Sequence, residues 1–513
     1  MKKLLIASLI ASFTFQACAF TKGKPYKLTI LHTNDHHGRF WQNKDGEYGL
    51  AARATIINQI REEVAAEGGY TMLLDAGDVN TGVPQSDLLL AEPDFKGMNL
   101  LKYDAMALGN HEFDKPNDVL RKQQKWANFP MLSANIYNKT GKKGKKTRAF
   151  PSHMTKNFDG LKVTVFGLTT EDTPLKTNAQ NTKNFNFVPV VEEAKTLVPK
   201  LRKKTDVLIA LTHIGHYDNG NHGIEAPGDV TLARSVNGID VIIGGHTAKP
   251  LFRPDIQNGT VIAQAQDWGK YVGRLDFEYL DGKLTLKSAK LVPVNLKNSE
   301  IKVQANSEVE EFLRPYKEKG DSQIMIKLGE AETEFIGLPT IIRNGETNLG
   351  NLVTKAYKEK FNTDIAISNS GGIRDSMPAG VVTYETVLKI LPFGNEISTT
   401  TMTGAELKEY FEKLVFDFKG SGGFPQISGV EIVGNKTLRK ITSFKINGED
   451  YVPTKKYTMT IPDFIASGQD KYPVISYSKT GFVDADILKD FVLKRKVLSA
   501  SEFEVTNYLQ IAE

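Results

Sequence analysis

Leu28-Thr29-Ile30-Leu31-His32-Thr33-Asn34-Asp35-His36-His37-Gly38 decides the fold. An apolar, β-branched run ends at once in a polar turn that closes on glycine. A continuous apolar run of this length predicts a strand buried on both faces, as in a parallel sheet covered by helices. The same grammar recurs along the first half. Met72-Leu74 leads into Gly77-Asp78, and Ala105-Leu108 into Gly109-Asn110-His111-Glu112-Phe113-Asp114. Val207-Leu211 leads to His213 and His216, and Val241-Ile243 to Gly244-Gly245-His246. Val163-Phe166 is a further run. Amphipathic stretches at 50–66 and 190–203 predict helices between them. The class is layered α/β, with five strand ends delivering Asp, His and Asn to one edge of a sheet, where open α/β folds place ligands.

The 513 residues are 40% hydrophobic and 24% charged, which excludes a mainly disordered chain. A net charge of +5 from 65 basic and 60 acidic residues is not the footprint of a nucleic-acid binder. Residues 1–19 read as an export signal. Lys2 and Lys3 precede the apolar stretch Leu4 to Phe15, and Ala17-Cys18-Ala19 offers small residues for cleavage before Phe20. Phe15-Gln16-Ala17 is a poor approach to a lipid-modified Cys18, so the expected product is a periplasmic protein without a lipid anchor. No second stretch is long and apolar enough to span a bilayer. Cys18 is the single cysteine, so the mature chain excludes disulfides, thiolate nucleophiles and cysteine zinc sites together.

The pattern changes near Val292-Asn295. Ser307 to Lys319 predicts a connecting helix, kinked near Pro315 and ended by Gly320. A second α/β region begins near Lys327, with a strand at Asp364-Ser368 and a capping box, Thr403-Gly404-Ala405-Glu406, opening a helix to about Phe416. The basic run Lys139 to Arg148 reads as a solvated hairpin loop. No internal repeat is present.

Nine histidines are unevenly placed, and the strand-end set combines carboxylate, imidazole and amide oxygen, the donors of hard and borderline divalent metals. A carboxylate such as Asp78 can bridge two ions, which together clamp a phosphoryl group. Asp35-His36-His37, Gly77-Asp78, Asn110-His111-Glu112-Phe113-Asp114, His213 and Gly245-His246 resemble the 5′-nucleotidase family of calcineurin-like metallophosphoesterases. Glu47-Tyr48-Gly49-Leu50-Ala51-Ala52, Ala91-Glu92-Pro93-Asp94-Phe95 and Trp268-Gly269-Lys270-Tyr271-Val272-Gly273 extend the likeness to its bacterial periplasmic UDP-sugar hydrolase/5′-nucleotidase type.

The resemblance implies a signal peptide at 1–19 and a four-layer α/β phosphoesterase sandwich over 20–300. It implies a linker helix and hinge at 301–325 and an α/β substrate-binding domain at 326–513. It implies that Asp35, His37 and Asp78 hold one divalent metal and that Asp78, Asn110, His213 and His246 hold a second, with zinc, manganese or cobalt as the ions. His111 then acts on the phosphoryl oxygens and Asp114 orients it. In the second half, Phe393 and Phe464 sandwich the base, Asp470 accepts from the ribose hydroxyls and Asn395 meets the base edge. Arg343, Asn369 and Arg374 hold phosphate and nearby polar groups. The chain departs from the family at Ala248, where a metal ligand usually stands, and at Pro339, where some relatives carry arginine. His36, His216 and His222 match no ligand position, His32 is expected as a packed histidine, and His153 carries no signal.

The expected activity is release of phosphate from nucleoside 5′-monophosphates, with UDP-sugars as further substrates, by a monomer without nucleic-acid partners. A 2′,3′-cyclic nucleotide phosphodiesterase and a nucleotide-binding protein with little turnover are the alternatives.

Overall fold

The structure is a computed structural model that describes residues 23–139, 147–177, 179–222, 225–300 and 302–512. The leader, Cys18 and most of the Lys139 to Arg148 run lie outside the described residues. The strands flanking that run, Ile136–Asn138 and Thr147–Arg148, pair antiparallel.

Twelve strands build the two main sheets of the first half. They are β1 (Tyr26–Thr33), β2 (Tyr70–Asp75), β3 (Ala105–Ala107), β4 (Met131–Leu132), β5 (His153–Phe158) and β6 (Leu161–Thr169). There follow β7 (Val207–His213), β8 (Val241–Gly244), β9 (Asp255–Gln257), β10 (Thr260–Ala263), β11 (Tyr271–Leu280) and β12 (Lys283–Pro293). They form two six-stranded sheets, ordered β12-β11-β1-β2-β3-β4 and β9-β10-β8-β7-β6-β5. The strands that lead to the polar turns pair in parallel, β1 with β2, β2 with β3, and β7 with β8.

The two sheets pack face to face. Leu28, Ile30, Met72 and Leu74 of the first meet Val163, Val165, Val207, Ile209, Val241 and Ile243 of the second. The other face of the first sheet, with Leu31, Leu73 and Met106, is covered by α1 (Leu50–Ala66), α3 (Glu92–Leu100), α4 (Asn117–Trp126) and α7 (Ser307–Ile324). Between α1 and α3 lies the short α2 (Pro84–Leu88). Phe166, Leu208, Ala210 and Ile242 of the second sheet lie under α5 (Val190–Arg202) and α6 (Asp229–Ser235). Four layers result, and the central strands are dry on both faces, so they carry unbroken apolar runs.

Two expectations need correction. The polar turns do not converge on one sheet: β1, β2 and β3 belong to one, β7 and β8 to the other. Periodicity shows that a strand is buried but not which sheet it joins. Gly320 also does not end the connecting helix, which continues through Pro315 and Gly320 to Ile324. The glycine serves close approach instead, since a Cβ there would lie 2.6 Å from Gln85 Cβ. Val309 and Leu313 of this helix are buried in the core of the first half.

A strand at Lys327–Ala331 opens the second half. Its main sheet comprises β13 (Ile365–Asn369), β14 (Glu396–Thr403), β15 (Pro425–Ser428), β16 (Lys456–Pro462) and β17 (Ser478–Val483), in the order β15-β13-β16-β14-β17. Helices α8 (Asn348–Phe361), α9 (Tyr384–Ile390) and α11 (Asp484–Arg495) supply one core, and α10 (Gly404–Leu414) another. The capping box at Thr403 and Glu406 opens α10. The chain is α/β throughout, in two parts joined by a helix.

Candidate active site

The C-terminal ends of β1, β2, β3, β7 and β8 meet where the two sheets adjoin. Ligand-capable atoms of Asp35, His37 and Asp78 all lie within 4.8 Å of one another, and so do those of Asp78, His213 and His246. Asp78 belongs to both groups. The turns that present them are tight: Asp35, His37, Asp78 and His246 have φ of 50°, 49°, 57° and 81°. Such left-handed conformations in non-glycine residues cost about 1–3 kcal/mol each and are held by the surrounding fold.

The donor set fits divalent ions. His37 Nδ1–H donates to the carbonyls of Asn80 and Thr81, at 3.1 and 2.8 Å. His213 Nδ1–H donates to the Ala76 carbonyl at 2.7 Å. A carbonyl only accepts, so each ring turns the lone pair of Nε2 to the site. His213 Nε2 is fully buried and lies 2.9 Å from Asp78 Oδ2 without the alignment of a hydrogen bond. This orphaned atom suits a metal ligand better than a donor. His246 Nδ1 lies 2.9 Å from Asn110 Oδ1, and the backbone N–H of His246 donates to Asp35 Oδ2 at 3.0 Å.

Electrostatics point the same way. Burial pushes the Asp35 carboxyl up, and the Asp78 charge adds to it against His213. Burial opposes the charge on Asp78 too, yet His213 and His111 hold that carboxyl far below the usual range. Burial lowers His213, but Asp78 outweighs it and lifts the imidazole to about 9. A histidine must be neutral to ligate, so uptake of ions at this centre releases protons.

His111 stands beside this centre. Its Nδ1 is 2.6 Å from Asp114 Oδ2, and its Nε2 is 3.9 Å from Asp78 Oδ2. Thr81 Oγ1 donates to the same Asp114 oxygen at 2.6 Å. Burial lowers His111, but Asp114 and then Asp78 outweigh it and push the imidazole up to about 10. Asp114 therefore fixes both the direction of the ring and its charge.

In the second half, Asn369 Nδ2 donates to Asp470 Oδ2 at 2.7 Å, and Asn395 Nδ2 to Asp484 Oδ2 at 3.2 Å. The Arg374 guanidinium lies 5.7 Å from the centre of the Phe393 ring. Phe393 and Phe464 are 58% and 38% exposed, large for apolar side chains. Arg343 Nε is buried without a partner.

A "5'-nucleotidase" of Vibrio cholerae is 45% identical over 98% of this chain and 97% of its own length. The chain belongs to the 5′-nucleotidase family. It is a hydrolase of the calcineurin-like metallophosphoesterase type, a type that works with divalent metals. The profile described as "Calcineurin-like phosphoesterase" matches residues 28–250, and that of the "5'-nucleotidase, C-terminal domain" matches 327–477. "Protein UshA" of Escherichia coli is 43% identical over 97% of each chain. The crystal structure of the 5'-nucleotidase precursor of Thermus thermophilus covers 95% of this chain and all of its own, at a TM-score of 0.62 and 27% identity.

Several residues that build this 5′-nucleotidase site escape a sequence reading. Glu112 accepts from the N–H groups of Gly109, Asp78 and Val79 at 2.7, 3.0 and 2.8 Å, and from Asn80 at 3.3 Å. It ties the Asp78 turn to the Asn110 turn. Gly109 is required because a Cβ would lie 2.1 Å from Asp78 Oδ1. His36 is no ligand. Arg53 Nη2 donates to its Nδ1 at 3.1 Å, so Nε2 carries the hydrogen and donates to Asp94 Oδ1 at 2.9 Å. The backbone N–H of Trp268 donates to the Asp35 carbonyl at 2.7 Å, and the centre of its ring lies 4.2 Å from the Arg39 guanidinium and 4.0 Å from Lys270 Nζ. The Ala91-Phe95 and Trp268-Gly273 motifs thus brace the first ligand loop.

The remaining histidines join neither ligand group. His216 Nε2 pairs with Asp255 at 2.9 Å, His222 bonds the Glu225 carbonyl, His32 is buried against Gly273, and His153 bonds Ser152. Among the described residues, no fourth Asp, Glu, His or Cys brings a ligand atom within 4.8 Å of all three of Asp35, His37 and Asp78. Gln264 is committed: it accepts from Thr247 Oγ1 and the Lys249 N–H and donates to the Gly245 carbonyl. Thr247 Oγ1 also accepts from the His216 N–H. Neither side chain is free to replace the ligand that Ala248 lacks. No helix among the described residues is long and apolar enough to cross a membrane.

Proposed function

We propose that the chain hydrolyses nucleoside 5′-monophosphates to nucleoside and phosphate, and that it cleaves UDP-sugars at the same centre. The observation that carries this reading is Asp78, one carboxylate shared by two ligand groups, with His111 Nε2 3.9 Å away. Asp35, His37 and Asp78 would hold one ion, and Asp78, Asn110, His213 and His246 the other, with zinc, manganese or cobalt suited to these donors. Two such ions, when bound, supply an activated water and positive charge opposite the phosphoryl oxygens.

The chain's own residues do the rest. His111 Nε2–H donates to a phosphoryl oxygen as negative charge gathers there, and Asp114 keeps the ring charged and aimed. Phe393 and Phe464 stack on the base, an arrangement that explains why two phenylalanines stand exposed. Asp470 accepts from the ribose hydroxyls, Asn395 meets the base edge, and Arg343, Asn369 and Arg374 take phosphate and nearby polar groups. The same reading divides the chain into a phosphoesterase domain at 20–300, a linker at 301–325 and a substrate domain at 326–513. It makes residues 1–19 an export signal and the mature protein a periplasmic monomer.

The test is phosphate release by purified protein from AMP, cyclic 2′,3′-AMP and UDP-glucose, with zinc, manganese or cobalt added and with chelator. Metal-dependent turnover of AMP is expected. Faster turnover of the cyclic nucleotide makes the chain a phosphodiesterase. Tight AMP binding without release under any metal makes it a binding protein and overturns the proposal.

A further inference from the structure

Four polar side chains of the second half are wired as two pairs at one end of its main sheet. Asn369 is bonded to Asp470, and Asn395 to Asp484. The pairs adjoin: a Cβ at Gly372 would lie 3.1 Å from Asn369 Oδ1 and 4.0 Å from Asn395 Nδ2. Three of the four have a place in the proposed function. Asp484 has none, although it is a carboxylate only 1% exposed.

Asp484 grips Asn395 at two points. Its N–H donates to the Asn395 carbonyl at 3.0 Å, and its Oδ2 accepts the side-chain amide. Its Oδ1 accepts the Ala485 N–H at 2.7 Å, one of the first N–H groups of α11, which have no partner within the helix. Both carboxylate oxygens are therefore engaged. A carboxylate only accepts, so the Asn395 amide turns its NH2 inward and its oxygen outward. Asn395 is half-buried, and its Oδ1 makes no bond among the described residues.

We propose that Asp484 is a positioning residue for base selection. By holding the Asn395 oxygen outward, it makes the site prefer bases with an exocyclic amine, adenine and cytosine, over the matching oxo bases, hypoxanthine and uracil. This rests on the placement of Asn395 at the base edge in the proposed function.

The isosteric change Asp484→Asn separates positioning from bulk. The Oδ1 position must still accept from the Ala485 N–H, so the new NH2 falls where Oδ2 was. It donates to Asn395 Oδ1, the amide turns over, and its NH2 faces outward. The preference then shifts toward the oxo bases.

Protonation acts in the same sense. Burial pushes the Asp484 carboxyl up to about 7, against the bonds from the Ala485 N–H and from Asn395 and with the Asp463 charge adding to it. The other titratable groups turned to it are Tyr357 of α8 and Asp463, which pairs with Lys479 and through it with Glu396. A protonated Asp484 donates to Asn395 Oδ1 and turns the amide over.

The experiment measures kcat/KM for AMP against IMP and CMP against UMP, from pH 6 to 8.5, for the native protein and Asp484→Asn. Each pair shares its phosphoester, so the ratio cancels titration at the metal centre. The native protein should favour AMP and CMP, less so as pH falls. Asp484→Asn should lower both ratios by about tenfold, the scale of one hydrogen bond gained and lost, and make them independent of pH. A folded variant with unmoved ratios overturns the proposal. If the variant does not fold, the native protein decides: ratios that are flat across pH, or that favour IMP and UMP, overturn it. Phosphate release from none of the four overturns the proposed function and this inference with it. Release from all four at equal efficiency overturns this inference alone.

Discussion

Glu112→Gln tests whether one buried carboxylate holds the ligand turns in register. Oε1 of Glu112 takes the N–H groups of Val79 and Asn80, and Oε2 takes those of Gly109 and Asp78. Glutamine turns one of the two positions into an NH2. Whichever position that is, two N–H groups lose their acceptor and face a donor. A buried N–H left unpaired costs about 1–3 kcal/mol, so two cost about 2–6 kcal/mol. Glu112 is 1% exposed, and no solvent reaches in to offset this. At about 2–4 °C per kcal/mol, the melting transition of the first half should fall by roughly 4–24 °C. The bound metal should also drop below two ions per chain, because Asp78 and Asn110 no longer share one anchor. The assay is calorimetry with elemental analysis of the dialysed protein. A shift under about 2 °C with metal content unchanged would refute the reasoning, since such a shift is the size of a surface substitution.

Three further outcomes are expected. His111→Ala should lower kcat for AMP by roughly 10²–10⁴-fold with little change in KM, as for a group that acts mainly in the transition state; kcat within threefold of native removes His111 from the chemistry. Phe464→Ala should raise KM for AMP several-fold while costing far less on p-nitrophenyl phosphate, which has no base to stack; equal losses on both would place the stacking elsewhere. Ala248→Gln should add a donor beside Asp35, His37 and Asp78, so that inactivation by chelator begins at higher concentration than in the native protein; identical titration curves, with two ions retained in both, would show the centre complete without it.

Much of the fold was legible because the central strands are dry on both faces. Leu28 to Leu31, Val207 to Leu211 and Val241 to Ile243 announce buried strands without any knowledge of their neighbours. The split into two sheets was not legible, since pairing is a long-range property that no local pattern records. Gly320 misled for a related reason. A glycine after a charged helical stretch has the form of a terminator, and only the approach of Gln85 shows its other use. At the site, residues that carry ligand chemistry stood out by type and spacing. The residues that orient them did not, because Glu112 acts through backbone N–H groups, Thr81 through the Asp114 carboxylate and Asp484 through an amide, all brought together only by the folded chain. His36 illustrates the limit from the other side. It sits between two ligand candidates in sequence, yet its ring turns away to Arg53 and Asp94.

The helix at Ser307–Ile324 has its own mechanical consequence. Eighteen residues make a shaft about 27 Å long, clamped to the first half through Val309, Leu313 and the glycine contact near its far end. Only the exposed pair Met325 and Ile326 separates it from the strand that opens the second half. The shaft therefore sets where and at what angle the chain is handed across. One residue inserted within it rotates that exit by about 100° and advances it by about 1.5 Å, carrying the whole of the second half off its bearing. Helix length here is a coordinate of the assembly, fixed as firmly as any ligand.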